Sequence, residues 1–221
     1  MCFLFLLKRC IFIIGGNMIS VNIQSSIRIE GSKTLYFDPI KINEGNADII
    51  LITHTHYDHF EKESILNIKN DSTIIIGPSD IKDKCLAMGF DEKNIIIMNP
   101  NEQATIDGIE IKTVPAYNIS KQFHKKEYNW LGYIVKMDEV SYYIAGDTDV
   151  LDENKNIKVD VAFVPIGGLY TMNWEEACNY INEIKPKKVV PIHYGMVVGS
   201  REEFIKFKDS VKDVEVLELL K

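Results

Sequence analysis

The chain has 221 residues, of which 46% are hydrophobic and 26% charged, so it can bury a sizeable core in one domain and general disorder is excluded. Its 32 acidic residues outnumber the 25 basic ones, giving a formal net charge of -7, which disfavours binding to the phosphate backbone of nucleic acids. The four scattered cysteines form no Cys-x-x-Cys pair, which argues against a disulfide framework and a thiolate zinc site and favours a reducing, cytoplasmic location.

The first 17 residues differ in composition from the rest of the chain. Two short apolar runs flank Lys8 and Arg9, so the basic pair interrupts the apolar stretch instead of preceding it as in a signal peptide, and neither run can span a bilayer. We interpret residues 1–17 as a disordered or wrongly assigned extension before a natural start at Met18. A membrane anchor is the less favoured alternative. One domain is predicted over 18–221.

From Met18 onward the chain alternates short β-branched runs with helical patterns. The runs predict strands at 19–23, 27–30, 34–37, 48–52, 73–76, 94–98, 109–114, 131–137, 140–145, 160–164, 188–192 and 214–219. Helical periodicity predicts helices near 61–69, 79–88, 173–185 and 201–210. Because strands dominate the first half and alternate with helices in the second, the pattern favours one α/β domain of two mixed sheets with helices outside.

The stretch "DIILITHTHYDHF", residues 48–60, holds three of the five histidines of the chain. His54 and His56 lie two apart in an extended segment that leaves a buried strand, so their side chains can point to one side. Asp58 and His59 follow where the chain turns toward the next helix. Imidazole and carboxylate are preferred ligands of zinc and related divalent ions, and the stretch therefore predicts a metal site at the carboxyl end of the strand.

Two later segments supply further ligands of the same kind at strand ends. Asp147 follows the predicted strand 140–145, and His193 follows the predicted strand 188–192. Either residue alone has an ordinary explanation, as a turn aspartate or an isolated histidine. Together with the histidine cluster they predict a site assembled from several strand ends.

The motifs HTHYDH (54–59), GDTD (146–149) and PIHYG (191–195) resemble the metallo-β-lactamase superfamily from about Met18 to about Phe204. TLYFDPI, VPAYN and VPIGG are similar to its compact metal-dependent hydrolase branch, which includes ascorbate-phosphate lactonase-like proteins. The resemblance implies an αββα four-layer sandwich of two mixed β-sheets flanked by helices. It also implies a binuclear site in which His54 and His56 hold one ion, Asp58, His59 and His193 hold the other, and Asp147 bridges them. Asp38 corresponds to a supporting carboxylate and not to a ligand.

One position departs from the pattern of the compact branch. Where those hydrolases place a separate histidine after a Pro-Ala-aromatic stretch, this chain has Asn118, a weaker, neutral oxygen ligand. His124, six residues on, is the one histidine without another assignment. The sequence leaves three options: His124 fills the vacant position, Asn118 is the ligand, or the first ion is held weakly or not at all.

The residues predict a hydrolase in which a metal-bound hydroxide attacks a small ester, lactone or phosphodiester, because a divalent ion lowers the pKa of its bound water to about 7. We expect one to two ions, zinc first and manganese or iron next. Asp58 or Asp147 could accept the proton of the attacking water. Tyr194 either donates to a developing oxyanion or only packs.

The sequence says less about partners. Lys121, Lys125 and Lys126 lie on the loop of His124 and could attract an anionic small-molecule substrate, or they form a solvated loop. No nucleic-acid or membrane partner is expected, and a homo-oligomer is left open. The alternatives are an iron-dependent redox enzyme on the same scaffold, a nuclease of the same superfamily, and a non-catalytic metal-binding module if Asn118 disables the first site.

Overall fold

A computed structural model describes residues 11–196 and 198–220. Its 14 strands form two seven-stranded sheets. The first sheet contains β1 (Ile11–Ile14), β2 (Asn17–Val21), β3 (Ile27–Glu30), β4 (Thr34–Phe37), β5 (Ile49–Leu51), β6 (Ile74–Gly77) and β7 (Ile95–Ile97). The second contains β8 (Gln103–Ile106), β9 (Ile109–Pro115), β10 (Leu131–Met137), β11 (Val140–Ile144), β12 (Val161–Pro165), β13 (Lys188–Ile192) and β14 (Glu215–Val216).

Both sheets follow the same plan, with strands in chain order, an antiparallel half and a parallel half. In the first sheet β1 to β4 pair antiparallel and β4 to β7 pair parallel. In the second, β8 to β11 pair antiparallel and β11 to β14 pair parallel. Parallel strands place their carboxyl ends at one edge of a sheet, and ligands of α/β proteins bind there. The loops after β4, β5, β11 and β13 therefore lie where a site can form.

Four helices cover the two sheets: α1 (Lys62–Ile68), α2 (Lys82–Ala87), α3 (Trp174–Ile184) and α4 (Arg201–Ser210). Ile65 of α1 and Cys85 of α2 are buried in a cluster with Ile50 and Ile75 on the outer face of the first sheet. Helix α3 packs on β12 and on α4, and Asn173 begins it with a capping box to Glu176. The main core lies between the sheets. The fold is thus the predicted αββα sandwich of two mixed sheets.

All 12 predicted strands and all four predicted helices have a counterpart in the fold, with boundaries that differ by a few residues. Two strands, β1 and β8, were not predicted from the sequence. Cys85 and Cys178 are buried free thiols. Among the described residues, no helix has the length and apolar character needed to cross a bilayer.

Strand β1 corrects the prediction of a disordered extension for the part of it that the structure describes. Residues 11–14 pair antiparallel with β2, Phe12 lying opposite Ile19. Phe12 and Ile14 are partly buried against the main core, whereas Ile11 and Ile13 are exposed. Residues 1–10 of the predicted extension lie outside the described residues.

We expect a chain that begins at Met18 to fold with a lower melting temperature than the full chain, because it lacks β1 and the apolar contacts of Phe12 and Ile14. Thermal unfolding of the two proteins measures this difference. A chain that begins at Ile11 retains β1 and is the matched control, so it should melt above the Met18 chain. Equal melting temperatures for the Met18 chain and the full chain would mean that the strand contributes nothing to stability.

Candidate metal centre

The residues singled out in the sequence come together at the carboxyl ends of the parallel strands. Asp38 follows β4, His54 and His56 follow β5, and Asp147 and His193 follow β11 and β13. Asp38 and His193 have left-handed backbones, with φ of 44° and 55°, a conformation in which Asp and His are enriched among non-glycine residues. The chain thus turns sharply at two of these strand ends.

Gly146 allows the turn that delivers Asp147. Its φ is 68°, and an added Cβ would lie 2.8 Å from the carbonyl oxygen of Leu131, closer than real Cβ contacts. A side chain at this position would therefore force the strand end away from β10. Gly146 of the GDTD motif is thus required for steric reasons, while Asp147 supplies the candidate metal ligand.

Two groups of potential ligands lie side by side. His54, His56 and His124 form one group, and Asp58, His59 and His193 form the other; within each group the ligand atoms lie within 4.8 Å of one another. Asp147 lies between the groups. Its Oδ2 is 3.3 Å from Nε2 of His124 and 3.2 Å from Nε2 of His193, and its Oδ1 is 3.4 Å from Nε2 of His59.

These separations fit divalent cations. Two ligands on one tetrahedral zinc ion, each about 2.0–2.1 Å from it, are about 3.3 Å apart. The closest imidazole pair, His54 Nε2 and His56 Nδ1, is 3.1 Å apart. Among the buried side-chain atoms without a hydrogen-bond partner are four candidate ligand atoms: Nε2 of His59, His124 and His193, and Oδ1 of Asp147. Each such atom costs about 1–3 kcal/mol if left unpaired, and cations bound in the two groups would satisfy all four.

Asp38 forms a third possible group with His54 and His59, but its hydrogen bonds are those of a residue that supports the two histidines. Its Oδ2 accepts from the Thr53 hydroxyl at 2.6 Å and from Nδ1 of His59 at 2.8 Å. The Thr53 oxygen in turn lies 2.9 Å from Nδ1 of His54. Because these bonds engage Nδ1 of both rings, the Nε2 atoms of His54 and His59 are left for a cation. This matches the supporting role that the sequence predicted for Asp38.

Asn118 stands in the same relation to His124. Its Oδ1 accepts from Nδ1 of His124 at 3.0 Å and from the backbone N–H of His124 at 3.1 Å. Its Nδ2 donates to the carbonyl of Tyr170 at 2.9 Å. The structure therefore brings the ring of His124, and not the amide of Asn118, to Asp147. These contacts give Asn118 the role of orienting the ring of His124.

Trp130 and Asp80 support the first imidazole group. The buried indole lies beside the rings of His54 and His56, with ring centroids 4.8 Å away in both cases, and 5.5 Å from that of His124. Its Nε1 donates to Asp80 at 3.1 Å, and the Thr55 hydroxyl donates to the same carboxylate at 2.7 Å. Trp130 thus fixes the orientation of the first imidazole group by packing.

A pocket of about 280 Å³ opens over the two groups. Its lining includes three imidazoles, the two carboxylates Asp58 and Asp147, and three aromatic rings: His56, Tyr57, Asp58, Phe123, His124, Asp147, Tyr170 and His193. Side chains that can hold cations therefore face a space that can hold a small molecule.

The comparisons with known proteins agree with this geometry. A family model described as a β-lactamase superfamily domain matches residues 23–193. A UPF0173 metal-dependent hydrolase from Thermococcus kodakarensis is 35% identical over 207 residues, covering 86% of this chain and 91% of that protein. The chain belongs to the metallo-β-lactamase superfamily, within its UPF0173 metal-dependent hydrolases.

Solved structures support the same assignment. A protein from Parabacteroides distasonis described as a metal-dependent hydrolase superposes with a TM-score of 0.82 at 26% identity, covering 96% of this chain and 98% of that one. A Thermotoga maritima protein described as a zinc-dependent hydrolase of the metallo-β-lactamase superfamily gives a TM-score of 0.63 at 18% identity, with coverages of 90% and 96%; that likeness shows the fold alone. The narrower resemblance to ascorbate-phosphate lactonase-like proteins stays a prediction.

The three predicted catalytic residues of this UPF0173 hydrolase differ in their access to the pocket. The side chain of Asp58 is 19% exposed, whereas that of Asp147 is 3% exposed between three imidazoles. Tyr194 stacks on Phe204, with ring centroids 5.5 Å apart and an interplanar angle of 7°, and it is not among the residues that line the pocket. Its placement is that of a packing residue, so the oxyanion role is not supported.

The lysines of the 118–129 loop are engaged elsewhere in the UPF0173 hydrolase. Lys121 forms a 2.5 Å ion pair with Asp149. Lys126 lies 3.6 Å from Glu153, and Lys125 lies 6.0 Å from the ring centroid of Tyr128. Within the described ranges, no lysine or arginine lines the pocket. The possible attraction of an anionic substrate by this loop is therefore not supported by the contacts.

The electrostatics of the site favour a bound cation. Burial alone lowers the pKa of His59, but Asp147 and Asp38 outweigh it and hold that pKa well above its ordinary value. Burial raises the pKa of Asp147, but His193 and His59 outweigh it and hold that pKa well below its ordinary value. The charged form of Asp147 is thus favoured, and a bound cation would compete with the proton of His59.

We expect metal uptake to release protons and to weaken as the pH falls. A protonated His59 competes with the cation, and because its pKa is raised, this competition extends to higher pH than for an ordinary histidine. Zinc titration calorimetry in buffers of different ionisation enthalpy measures the protons released. Uptake with no proton release at neutral pH and no loss of affinity between pH 8 and pH 6 would contradict the arrangement.

Proposed function

We propose that this hydrolase cleaves a small, uncharged ester or lactone with water. The seven side chains that would hold one or two divalent ions, with zinc as the first choice, are His54, His56, Asp58, His59, His124, Asp147 and His193. The observation that carries the proposal is the convergence of four buried, unpartnered ligand atoms beneath a pocket that also contains an accessible carboxylate.

The ions would act as Lewis acids toward a water molecule and toward the carbonyl oxygen on which charge develops. The chain supplies the remaining functions. Asp58, at the pocket surface, accepts the proton of the attacking water. Burial raises its pKa, but His193 and His59 outweigh burial and lower that pKa, so the carboxylate is ionised and free to accept a proton. Asp147 and the supporting Asp38 keep the imidazoles in place.

An ester or lactone fits this pocket better than a phosphodiester. A phosphodiester carries a negative charge in both substrate and product, and enzymes that bind such groups usually add arginine or lysine contacts. Here the carboxylates of the pocket lining are Asp58 and Asp147. Lys121, on the loop that carries His124, is paired with Asp149. An uncharged carbonyl substrate needs no such basic contact.

The free thiols Cys85 and Cys178 support the further proposal of a cytoplasmic location.

Kinetics with metal-loaded protein test the proposed function. The protein is loaded separately with zinc, manganese and iron(II) and assayed on simple esters, lactones and phosphodiesters. We expect metal-dependent ester or lactone hydrolysis and little phosphodiester cleavage. Iron loading also tests the redox alternative, because imidazole and carboxylate ligands accept iron. Turnover confined to phosphodiesters, or oxygen consumption without hydrolysis, would contradict the proposal.

The Asp58→Asn variant tests the role of the accessible carboxylate. Loss of a general base costs roughly 10²–10⁴-fold in rate, so we expect kcat to fall by that order. Asp152→Asn, which removes the charge of a side chain that is 91% exposed, is the control and should retain activity. Unchanged kcat in Asp58→Asn at full metal content would mean that another group accepts the proton of the attacking water.

A further inference from the structure

Three aromatic side chains line the pocket beside the candidate ligands, and the proposed chemistry does not use them. Tyr57 lies between His56 and Asp58 in the chain, Phe123 directly precedes His124, and Tyr170 belongs to the loop after β12. Phe123 and Tyr170 pack edge to face with ring centroids 4.6 Å apart at 88°. We call these three residues the aromatic wall.

Exposure of the aromatic wall to water is unfavourable in free energy. Tyr57 is 79% exposed and Phe123 is 45% exposed, although each neighbours a residue that is held in the metal centre. Large exposed apolar groups that cluster at a concave site usually contact a ligand. The wall is therefore better explained by what it binds than by packing within the chain.

Asn118 links two loops of the aromatic wall to the candidate metal centre. The oxygen of that amide accepts from the ring of His124, and its nitrogen donates to the carbonyl of Tyr170. One side chain thus ties together the loop that carries Phe123 and His124 and the loop that carries Tyr170. These bonds fix the loops that carry Phe123 and Tyr170 relative to the candidate ligand His124, as positioning of a substrate requires.

We propose that the aromatic wall binds an uncharged apolar group of aryl size on the acyl side of the substrate. This inference rests on the proposed function, and it specifies the substrate class of the same site. The pocket volume of about 280 Å³ is near the lower limit of ligand pockets, which run from about 300 to 1,000 Å³, so one ring and one ester group fill it. No lysine or arginine of the described residues lines the pocket to pair with an anionic group in the same place.

Three methyl esters with the same leaving group test the proposal on zinc-loaded protein: methyl 3-phenylpropanoate, methyl acetate and monomethyl succinate. One additional methylene in an apolar pocket is worth about 10–200-fold in kcat/KM, so we expect the phenyl ester to exceed methyl acetate by at least about 10-fold. Monomethyl succinate should be the poorest of the three. Equal kcat/KM for all three esters, or a preference for the succinate ester, would overturn the proposal.

Two variants test whether residues of the aromatic wall cause the preference for the phenyl ester. Phe123→Ala and Tyr57→Ala should each reduce the ratio of kcat/KM between the phenyl ester and methyl acetate several-fold, with metal content measured for each protein. Tyr57 is mostly exposed, so its truncation leaves no internal cavity, and it keeps the test valid if Phe123→Ala loses metal. Ile205→Ala on α4, at 47% exposure, is the matched control. A ratio that is unchanged in both wall variants would mean that the wall serves another partner.

A binding measurement separates this inference from the proposed function. Titration calorimetry with 3-phenylpropanoate and with acetate requires no turnover. Tighter binding of 3-phenylpropanoate that is lost in Tyr57→Ala would support the wall even if no ester is hydrolysed. If esters are hydrolysed without any preference for the phenyl group, and the two carboxylates bind equally, the proposed hydrolase function would hold. The proposal that the aromatic wall binds an aryl-sized group would be contradicted.

Discussion

Replacing Asp147 by asparagine is expected to lower kcat/KM by at least about 100-fold and to reduce metal content. Loss of a group that merely supports a metal ligand costs about 10–100-fold, and Asp147 is in direct contact with three candidate ligands, His59, His124 and His193. The asparagine keeps the shape of the side chain but removes the charge that would bind the cations. Elemental analysis and kinetics of the same preparation measure the two effects.

The Asp152→Asn variant is the control for this experiment as well, because it also removes one carboxylate charge from the segment after β11. It should keep wild-type metal content and activity. If Asp147→Asn retained full metal content and lost less than 10-fold in activity, Asp147 would not be the bridging ligand of the site.

His124→Ala is expected to lower metal occupancy and to reduce activity by more than Asn118→Ala does. The ring of His124 contacts Asp147 directly, whereas Asn118 acts by holding that ring at Nδ1. For Asn118→Ala we expect a loss of roughly 10–100-fold, the range for groups that orient metal ligands. Metal content and kcat/KM of both variants, compared with wild type, provide the test.

Gln122→Ala is the matched control, because Gln122 is an exposed residue of the same loop. It should leave metal content and activity unchanged. A damaging Asn118→Ala with a silent His124→Ala would make the asparagine the ligand. If both variants were silent, the first imidazole group would not contribute to the activity.

The candidate ligands at strand ends could be predicted from the sequence because a strand and the residues that follow it are defined by neighbouring positions in the chain. A buried run such as 48–52 or 188–192 indicates a strand, and parallel strands deliver the residues that follow them to one edge of a sheet. His54, His56, Asp147 and His193 come together for this reason. The resemblance then supplied the grouping of these ligands and the supporting role of Asp38, which the contacts of Asp38 with His59 and Thr53 match.

The position of His124 could not be predicted in the same way. It lies in a loop whose course depends on side-chain bonds of Asn118 to His124 and Tyr170, and these bonds join segments far apart in the sequence. The sequence therefore indicated His124 by elimination and could not choose between His124 and Asn118. The exposure of Phe123 and the placement of Trp130 beside the imidazoles depend on the same loop.

The sequence did not predict strand β1 and left the role of Tyr194 open, and both results have a common cause. In both cases residues were interpreted by their neighbours in the chain. The unusual composition before Met18 concealed a strand whose partner, β2, follows after one tight turn. Tyr194 is adjacent to His193, but its ring turns away from the pocket and stacks on Phe204 of α4. Tertiary packing decided both outcomes.

The most direct test of the candidate metal centre is anomalous diffraction at the zinc edge from crystals of zinc-loaded protein. We predict one ion about 2.0–2.2 Å from nitrogen atoms of His54, His56 and His124 and a second at similar distances from Asp58, His59 and His193, with Asp147 between the two. Absence of anomalous density at this edge of the sheets, or an ion held by Asn118 with His124 turned away, would contradict the account.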